Sequence, residues 1–248
     1  MGDVWVAWVV PELLSLQGRN DRRRTDERDA EIVTTRNEKD KEHIHEVEIG
    51  SLTPRDVAEA MGVLARGMRD NPNHVAAFGD DPSLRLARLR RFFERLNTMA
   101  RWEALVARNG EGTILGVLAV TKPGRCGLPS VRGAGALSRY RGDNPEASRR
   151  IERWLEAWRE RDPKERHWHL GPFAIEAGLR GKGIGSELLR VFCAQMDAGD
   201  ENAYVETDTS QSVRFCERFG FEVVGEGSVL GATNWFMIRR PHTQGGDR

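Results

Sequence analysis

The chain has 248 residues and a mass of 28.0 kDa, and its 38 Lys+Arg balance 38 Asp+Glu, so it carries no net charge. That length fits one domain of roughly 200 residues with extras, and the zero balance removes the global attraction that nucleic-acid binding relies on, so no nucleic-acid partner is expected. Val4–Val10 is far shorter than the ~20 apolar residues of a membrane span, and Asp3 precedes it where a signal peptide would carry basic residues. No membrane partner is expected, and a soluble, cytoplasmic protein is. Cys126, Cys193 and Cys216 are widely spaced with no CxxC pair; this predicts neither a disulfide scaffold nor a zinc cluster, and no metal.

Residues 1–42 read differently from the rest. After the apolar stretch 4–14, which includes Trp5 and Trp8, Arg19–Glu42 holds eight basic and eight acidic side chains with Ile32 and Val33 its only large aliphatics. Such a segment buries too little apolar surface to offset its ordering entropy, and a flexible extension is expected. Residues 43–240 are the expected domain and 241–248 a tail.

Within the domain, His43–Ile49 alternates polar and apolar residues as a half-buried strand does. Thr53-Pro54 then opens a helix carrying Val57, Met61, Leu64 and Met68. Asn71–Asp80, with His74 and Phe78, reads as a surface loop that could gate a pocket. Asp81-Pro82 opens a second helix, with Leu86, Leu89, Phe93 and Leu96 on one face and Arg85 among its polar residues. Trp102–Arg108 and Ile114–Thr121 are two strands joined by the turn Asn109–Gly112. A Gly- and Arg-rich connection, Gly124–Asp143, leads to a helix opened at Asn144-Pro145. Its stripe Ile151, Trp154, Leu155 and Trp158 is expected to pack in the core rather than to form a ligand platform.

His167–Ile175 is a strand interrupted at Gly171-Pro172, where a bulge or a break in pairing is expected because Pro has no N–H to donate. Simple alternation puts His167, His169 and Phe173 on one face, a parity that the interruption can upset. A glycine-rich turn, Glu176–Gly185, then enters an apolar helix with Leu188, Leu189, Phe192 and Met196. Closely spaced N–H groups at a helix start make an anion site, and Arg180 and Lys182 add positive charge. Gly183 follows Lys182 where a P-loop needs Ser or Thr, and Ser186 stands where a dinucleotide fingerprint needs its last Gly. A nicotinamide-dependent oxidoreductase is thereby disfavoured. The pattern R/Q-x-x-G-x-G/A does fit, through Arg180, Gly183 and Gly185.

With that loop, the strand Ala203–Thr207, the short helix Ser210–Arg218, the segment Phe215-Cys216-Glu217-Arg218-Phe219-Gly220-Phe221 and a last strand Asn234–Arg239, the chain resembles the GNAT family of N-acetyltransferases over about residues 43–240. Within that family it is similar to the puromycin-acetyltransferase-like subgroup. The resemblance implies an α/β (α+β) fold: a mixed, mostly antiparallel sheet of six to seven strands flanked by helices, with a V-shaped splay between strands 167–175 and 203–207. It also implies acetyl-CoA as cosubstrate. The pantetheine arm would pair with the backbone of Phe173, Ala174 and Ile175, and the pyrophosphate would sit on residues 180–186: Arg180, Gly181, Lys182, Gly183, Ile184, Gly185 and Ser186. Ser212 and Phe215 lie where the family's coenzyme site continues.

Attack of an amine on a thioester needs a proton acceptor, a donor for the charge building on the carbonyl oxygen, and a proton for the departing sulfur. His169 stands at the family's general-base position; the alternative is a strand histidine satisfied by a carbonyl. Glu206 is the second candidate base; the alternative is a carboxylate paired with an arginine or a backbone cap. Cys216 replaces the tyrosine that protonates the leaving sulfur in relatives, and as a lone Cys it equally suits a small buried packing role. Tyr140 and Tyr204 could take that part only if the fold brought them near. The resulting expectation is acetyl transfer to a primary amine of a small molecule. A protein acetyltransferase and a non-catalytic acyl-CoA sensor are the rivals. A homodimer is left open.

Overall fold

The computed structural model describes residues 47–99, 102–124 and 145–242. The leader with Trp5 and Trp8, most of the 43–49 strand, Cys126, Tyr140 and residues 125–144 of the connection lie outside them. In chain order the elements are β1 Glu48–Ser51, a 3-10 turn Pro54–Asp56, α1 Val57–Gly67, α2 Pro72–Phe78, α3 Pro82–Met99, β2 Trp102–Arg108, β3 Ile114–Thr121, α4 Pro145–Arg159, β4 Trp168–Ile175, α5 Ile184–Ala198, β5 Ala203–Thr207, α6 Ser210–Glu217, β6 Phe221–Val229 and β7 Ala232–Arg239. The seven strands form one sheet in the order β1-β2-β3-β4-β5-β7-β6, antiparallel throughout except where β4 meets β5. This is the expected mixed sheet.

Local chemistry sets the element ends. Asn109 Oδ1 accepts from the N–H groups of Glu111 and Thr113 at 3.2 and 2.9 Å, and Gly112 supplies a positive φ of 84°, which closes the β2–β3 turn. Asp81 Oδ1 caps α3 by accepting from Ser83 and Leu84 N–H, both at 2.9 Å. Thr209 Oγ1 caps α6 by accepting from Ser212 N–H at 3.2 Å.

Apolar periodicity sorts the two faces of the sheet. One face carries α5 and α6, with Leu188, Leu189, Phe192 and Met196 packed on Leu118, Leu170 and Val205. The other carries α1, α3 and α4, with Met61, Leu64, Leu89, Phe93, Ile151 and Trp154 packed on Val106, Val117 and Ala174.

Two sequence expectations are corrected. Residues 72–78 are a helix, not a surface loop: Asn73, His74, Ala77 and Phe78 are all buried. A seven-residue helix starting at Pro is too short for periodicity to declare it, and tertiary burial fixes it instead. Arg85, counted among the polar residues of its helix rather than with the buried face, is 4% exposed. It pairs with Asp70 at 2.7 Å and donates to the carbonyls of Arg69, Gly79 and Asp80, so its desolvated guanidinium is fully engaged in tying the α1–α3 connections together.

Gly67 closes α1 directly against β4. A Cβ there would lie 2.7 Å from Ile175 O and 2.8 Å from Ala174 Cβ. Gly67→Ala is therefore expected to push α1 off the sheet and to destabilise the fold by ~1–3 kcal/mol, read as a lower midpoint in denaturant unfolding.

Candidate active site

The pairing of β4 with β5 covers only Trp168↔Ala203 and His169↔Tyr204. Beyond His169 the strands diverge, and β4 keeps only its β3 partner, through Phe173↔Leu118, Ala174↔Val117 and Ile175↔Gly116. Between Leu170 and Phe173 β4 carries one residue more than β3, at Gly171-Pro172, which is the expected bulge. The extra residue inverts the alternation: Leu170 and Phe173 pack on the α5 face, whereas Ala174 packs on the α1 face. Phe173 therefore does not share a face with His169, and the nominal parity is corrected. Because Glu176 N–H donates to Leu115 O on β3 at 2.9 Å, alternation turns the N–H groups of Phe173 and Ile175 toward the opening.

The opening is a cavity of about 560 Å³. One end is the glycine-rich turn. Gly181 and Gly183 have φ of 79° and 89°, which β-carbon-bearing residues rarely adopt, and neither has any atom within 4 Å of where a Cβ would be. Their backbone is thus free for a ligand's close approach. Gly183 immediately precedes α5, and the first-turn N–H groups of a helix have no intrahelical acceptors, so they point into the same space. Arg180 donates a guanidinium N–H to Gly67 O, which anchors the turn to α1. Gly181, Gly183, Ile184, Gly185 and Ser186 line the cavity, as do Phe173, Ala174, Ile175, Arg180, Ser212 and Phe215. The rings of Phe173 and Phe215 pack on each other with centroids 5.9 Å apart. Lys182 is exposed and is not among the lining residues; it adds positive potential and no wall. The residues present fit a pyrophosphate and an extended pantetheine arm: donors at one end, an unpaired strand edge along the side.

The other end holds the titratable groups. His169 Nε2 meets Glu206 Oε2 at 2.8 Å, and its Nδ1 lies 3.4 Å from Asp162 Oδ1. Glu206 is therefore partnered by a histidine, not by an arginine or a backbone cap, and His169 is held between carboxylates rather than by a carbonyl. His167 takes the structural part: 3% exposed, its Nδ1 is 2.7 Å from Glu165 O. Asp208, at the end of β5, is 8% exposed. Its carboxylate accepts from Asn73 N–H at 2.8 Å and Asn71 Nδ2 at 3.2 Å, yet burial raises its pKa above the ordinary carboxylate value.

Cys216 lines the cavity but is 4% exposed and belongs to the core on the α5 face; burial pushes its thiol up to about 12. Tyr204 is fully buried outside the cavity lining, its hydroxyl donating to Arg161 O at 3.2 Å, and burial raises its pKa too. It serves as a platform beneath His167 and His169, each 5.4 Å away and edge-on.

Sequence reasoning did not find the far wall, made of Trp102, Trp154, Trp158, Phe92, Phe93 and His74, nor Asp162 and Asp208. The Trp154–Trp158 stripe is both core and cavity wall, so its expected role is only half of what it does. The missed carboxylates carry no spacing signal; folding alone brings Asp162 beside His169 and Asp208 against Asn71 and Asn73.

His74 sits against Phe78, Phe93 and Trp154 with ring centroids 6.3, 6.0 and 5.0 Å away, and burial, helped by the Arg85 charge, lowers its pKa to about 3. The fold thus holds it neutral, while the unfolded chain protonates it near its ordinary ~6.5. Its contribution is complete above pH ~6.5 and is lost as pH falls toward about 3, by at most ~1.4 kcal/mol per pH unit. His74→Leu is expected to remove that component, giving a shallower loss of stability across this window in denaturant titrations.

Comparison with known proteins gives the family and the fold. Residues 80–221, more than half of the chain, match the sequence model of the acetyltransferase (GNAT) family. A structure from Corynebacterium glutamicum described as histone acetyltransferase HPA2 and related acetyltransferase is 23% identical, with a TM-score of 0.59 over 79% of this chain and 96% of that one. Arylalkylamine N-acetyltransferase 2 from Aedes aegypti is 14% identical (TM-score 0.55, covering 78% and 98%). A polyamine N-acetyltransferase from Drosophila melanogaster is 15% identical (TM-score 0.53, covering 79% and 100%).

Proposed function

The chain belongs to the acetyltransferase (GNAT) family, and from that premise we propose that it acetylates the primary amine of a small, drug- or metabolite-like molecule. The observation that carries this reading is the meeting, in one cavity, of a strand edge opened after His169, an anion-binding glycine turn and the His169–Glu206 pair. Acetyl-CoA, the family's cosubstrate, supplies the thioester carbon that the amine attacks. No helix among the described residues is long and apolar enough to cross a membrane.

The chain's own groups divide the work. Backbone N–H groups from Gly181 to Ser186 hold the pyrophosphate, with Arg180 shaping the turn through Gly67. The Phe173 and Ile175 N–H groups face the opening, one to pair with the pantetheine arm and one to donate to the carbonyl oxygen. Asp162, Glu206 and Asp208 line the cavity, which favours an amine that arrives as an ammonium ion. Glu206 holds the His169 ring through Nε2 and Asp162 faces its Nδ1, which places the imidazole between two carboxylates as the group that takes the amine proton. The cavity volume suits small-molecule ligands, whose pockets run ~300–1,000 Å³. The Corynebacterium, Aedes and Drosophila structures support the fold, and the latter two are named for small amines.

Cys216 is the one family position the chemistry argues against. A thiol at about 12 is a weaker acid than an ordinary thiol near ~8.5, so passing its proton to a departing CoA thiolate is uphill by roughly 4–5 kcal/mol. In this reading Cys216 packs the wall and the thiolate leaves without a protein acid. Cys216→Ala should keep kcat within about tenfold; a loss of about 100-fold or more would restore the thiol as the acid.

Free CoA thiol release from acetyl-CoA is expected to depend on added amine across a panel of primary amines that includes puromycin. Release with none of them, in protein shown to bind acetyl-CoA, would count against the reading. His169→Ala should lower kcat by about 10²–10⁴ while leaving the KM for acetyl-CoA nearly unchanged, and an unaltered kcat would remove His169 from the reaction.

A further inference from the structure

Six rings line the cavity together: Trp102, Trp154, Trp158, Phe92, Phe93 and His74. They brace one another edge-on, with Trp154 5.0 Å from His74 and 5.1 Å from Trp158, and Phe92 5.4 Å from Phe93. Two of the tryptophan N–H groups are spent on the protein: Trp158 Nε1 donates to Asn234 Oδ1 at 2.8 Å and Trp102 Nε1 to Asn97 Oδ1 at 2.9 Å. His74 differs. It is 2% exposed, and its Nδ1 is buried with no hydrogen-bond partner among the described residues.

The chain itself ties this wall to the cavity's carboxylates. Asn73 N–H donates to Asp208 at 2.8 Å, one residue before His74 on α2. Asp162, which faces His169 at 3.4 Å, follows Trp158 by four residues. A guest whose ammonium meets those carboxylates therefore has rings to lay the rest of itself against. Rings fixed in this way present π faces and edges, from which an aromatic guest gains more than an aliphatic chain of equal area. A buried polar atom is normally answered, and one left open in a cavity wall marks where a ligand answers it. A hydroxyl both donates and accepts, so it meets Nδ1 whichever ring nitrogen carries the hydrogen. A carbonyl meets only one tautomer, and an ammonium only the other.

We infer that the acceptor is an aromatic amine bearing a hydroxyl group, its ring lying against Trp154 and Trp158 and its hydroxyl hydrogen-bonded to His74 Nδ1. The inference rests on the amine acetylation proposed above, and it makes His74 a residue that sets specificity. Burial keeps the His74 ring neutral near neutral pH, so it does not repel an arriving ammonium. A site built to hydrogen-bond a hydroxyl discriminates against the analogue that lacks it, because the protein's own buried atom is then left unanswered. A purely apolar wall gives no such selection.

The test is affinity in the full chain loaded with CoA, which fills the cosubstrate site without allowing turnover. Calorimetry is expected to show tyramine binding at least about tenfold tighter than phenethylamine, and phenethylamine at least about threefold tighter than n-hexylamine. His74→Leu should bring the tyramine-to-phenethylamine ratio down to about one. Trp158→Leu should weaken both aromatic amines more than n-hexylamine. Equal affinities for tyramine and phenethylamine, n-hexylamine bound as tightly as phenethylamine, binding of none of the three, or a tyramine preference that survives in folded His74→Leu would each overturn the inference. The wild-type ranking involves no variant, so it decides the matter even where a variant fails to fold. Acetyl transfer to amines with this ranking reversed would sink the inference alone, whereas the expected ranking without release of CoA thiol would count against the proposed reaction alone.

Discussion

The structure depends on the parting of β4 from β5. Two register pairs hold these strands parallel, and then the extra residue at Gly171-Pro172 sends β4 away while β3 keeps hold of its other edge. A central strand would ordinarily bury both rows of its backbone hydrogen-bonding groups in ladders. Here one row, from Phe173 to Ile175, is left facing a cavity. That row is an unmet demand for hydrogen bonds inside the protein, and an extended, amide-bearing ligand meets it as a missing strand would. The same bulge re-aims the side chains, so that Phe173 joins Phe215 over the opening and Ala174 packs behind it.

Around that opening, two buried charged groups are well partnered. Arg85 is almost fully desolvated and is answered by one carboxylate and three carbonyls. Asp208 is answered by an N–H and an amide. This matters because a buried charge without partners costs several kcal/mol. The reactive end is different in kind. There the acidic and basic groups share partners, Asp162 and Glu206 both reaching His169. A titratable cluster of that sort is what proton transfer requires, and its energetic cost is tolerated at a site rather than in a scaffold.

Much of the fold was legible because its signals are local. Alternation in Trp102–Arg108 and Ile114–Thr121 with the Asn109–Gly112 turn gave the hairpin, and Gly183 before an apolar helix gave the anion-binding turn. The interruption at Gly171-Pro172 announced the bulge. The unread parts are those fixed only by distant residues. Helix α2 is too short to show a period. Arg85 looks like any surface arginine until Asp70 and the Gly79 and Asp80 carbonyls close around it. Asp162 and Asp208 lie outside the strands, where acidic residues are ordinary, and only folding brings Asp162 beside His169 and Asp208 against Asn71 and Asn73. The tryptophans of α4 were correctly placed on one face, but a core face and a cavity wall share the same periodicity.

One buried contact reaches beyond the cavity. The amides of Asn73 and Asn234 face each other at 2.7 and 3.2 Å, and Trp158 Nε1 donates to Asn234 Oδ1 at 2.8 Å. Asn234 belongs to β7, and neither β6 nor β7 contributes a lining residue. The hairpin nevertheless holds Trp158 of the cavity's aromatic wall and the start of α2 by hydrogen bonds, while the glycine turn is built between β4 and α5. Changes in the hairpin can thus reshape the aromatic wall without disturbing the glycine turn, giving the fold a handle on the cavity's shape that lies outside its own lining.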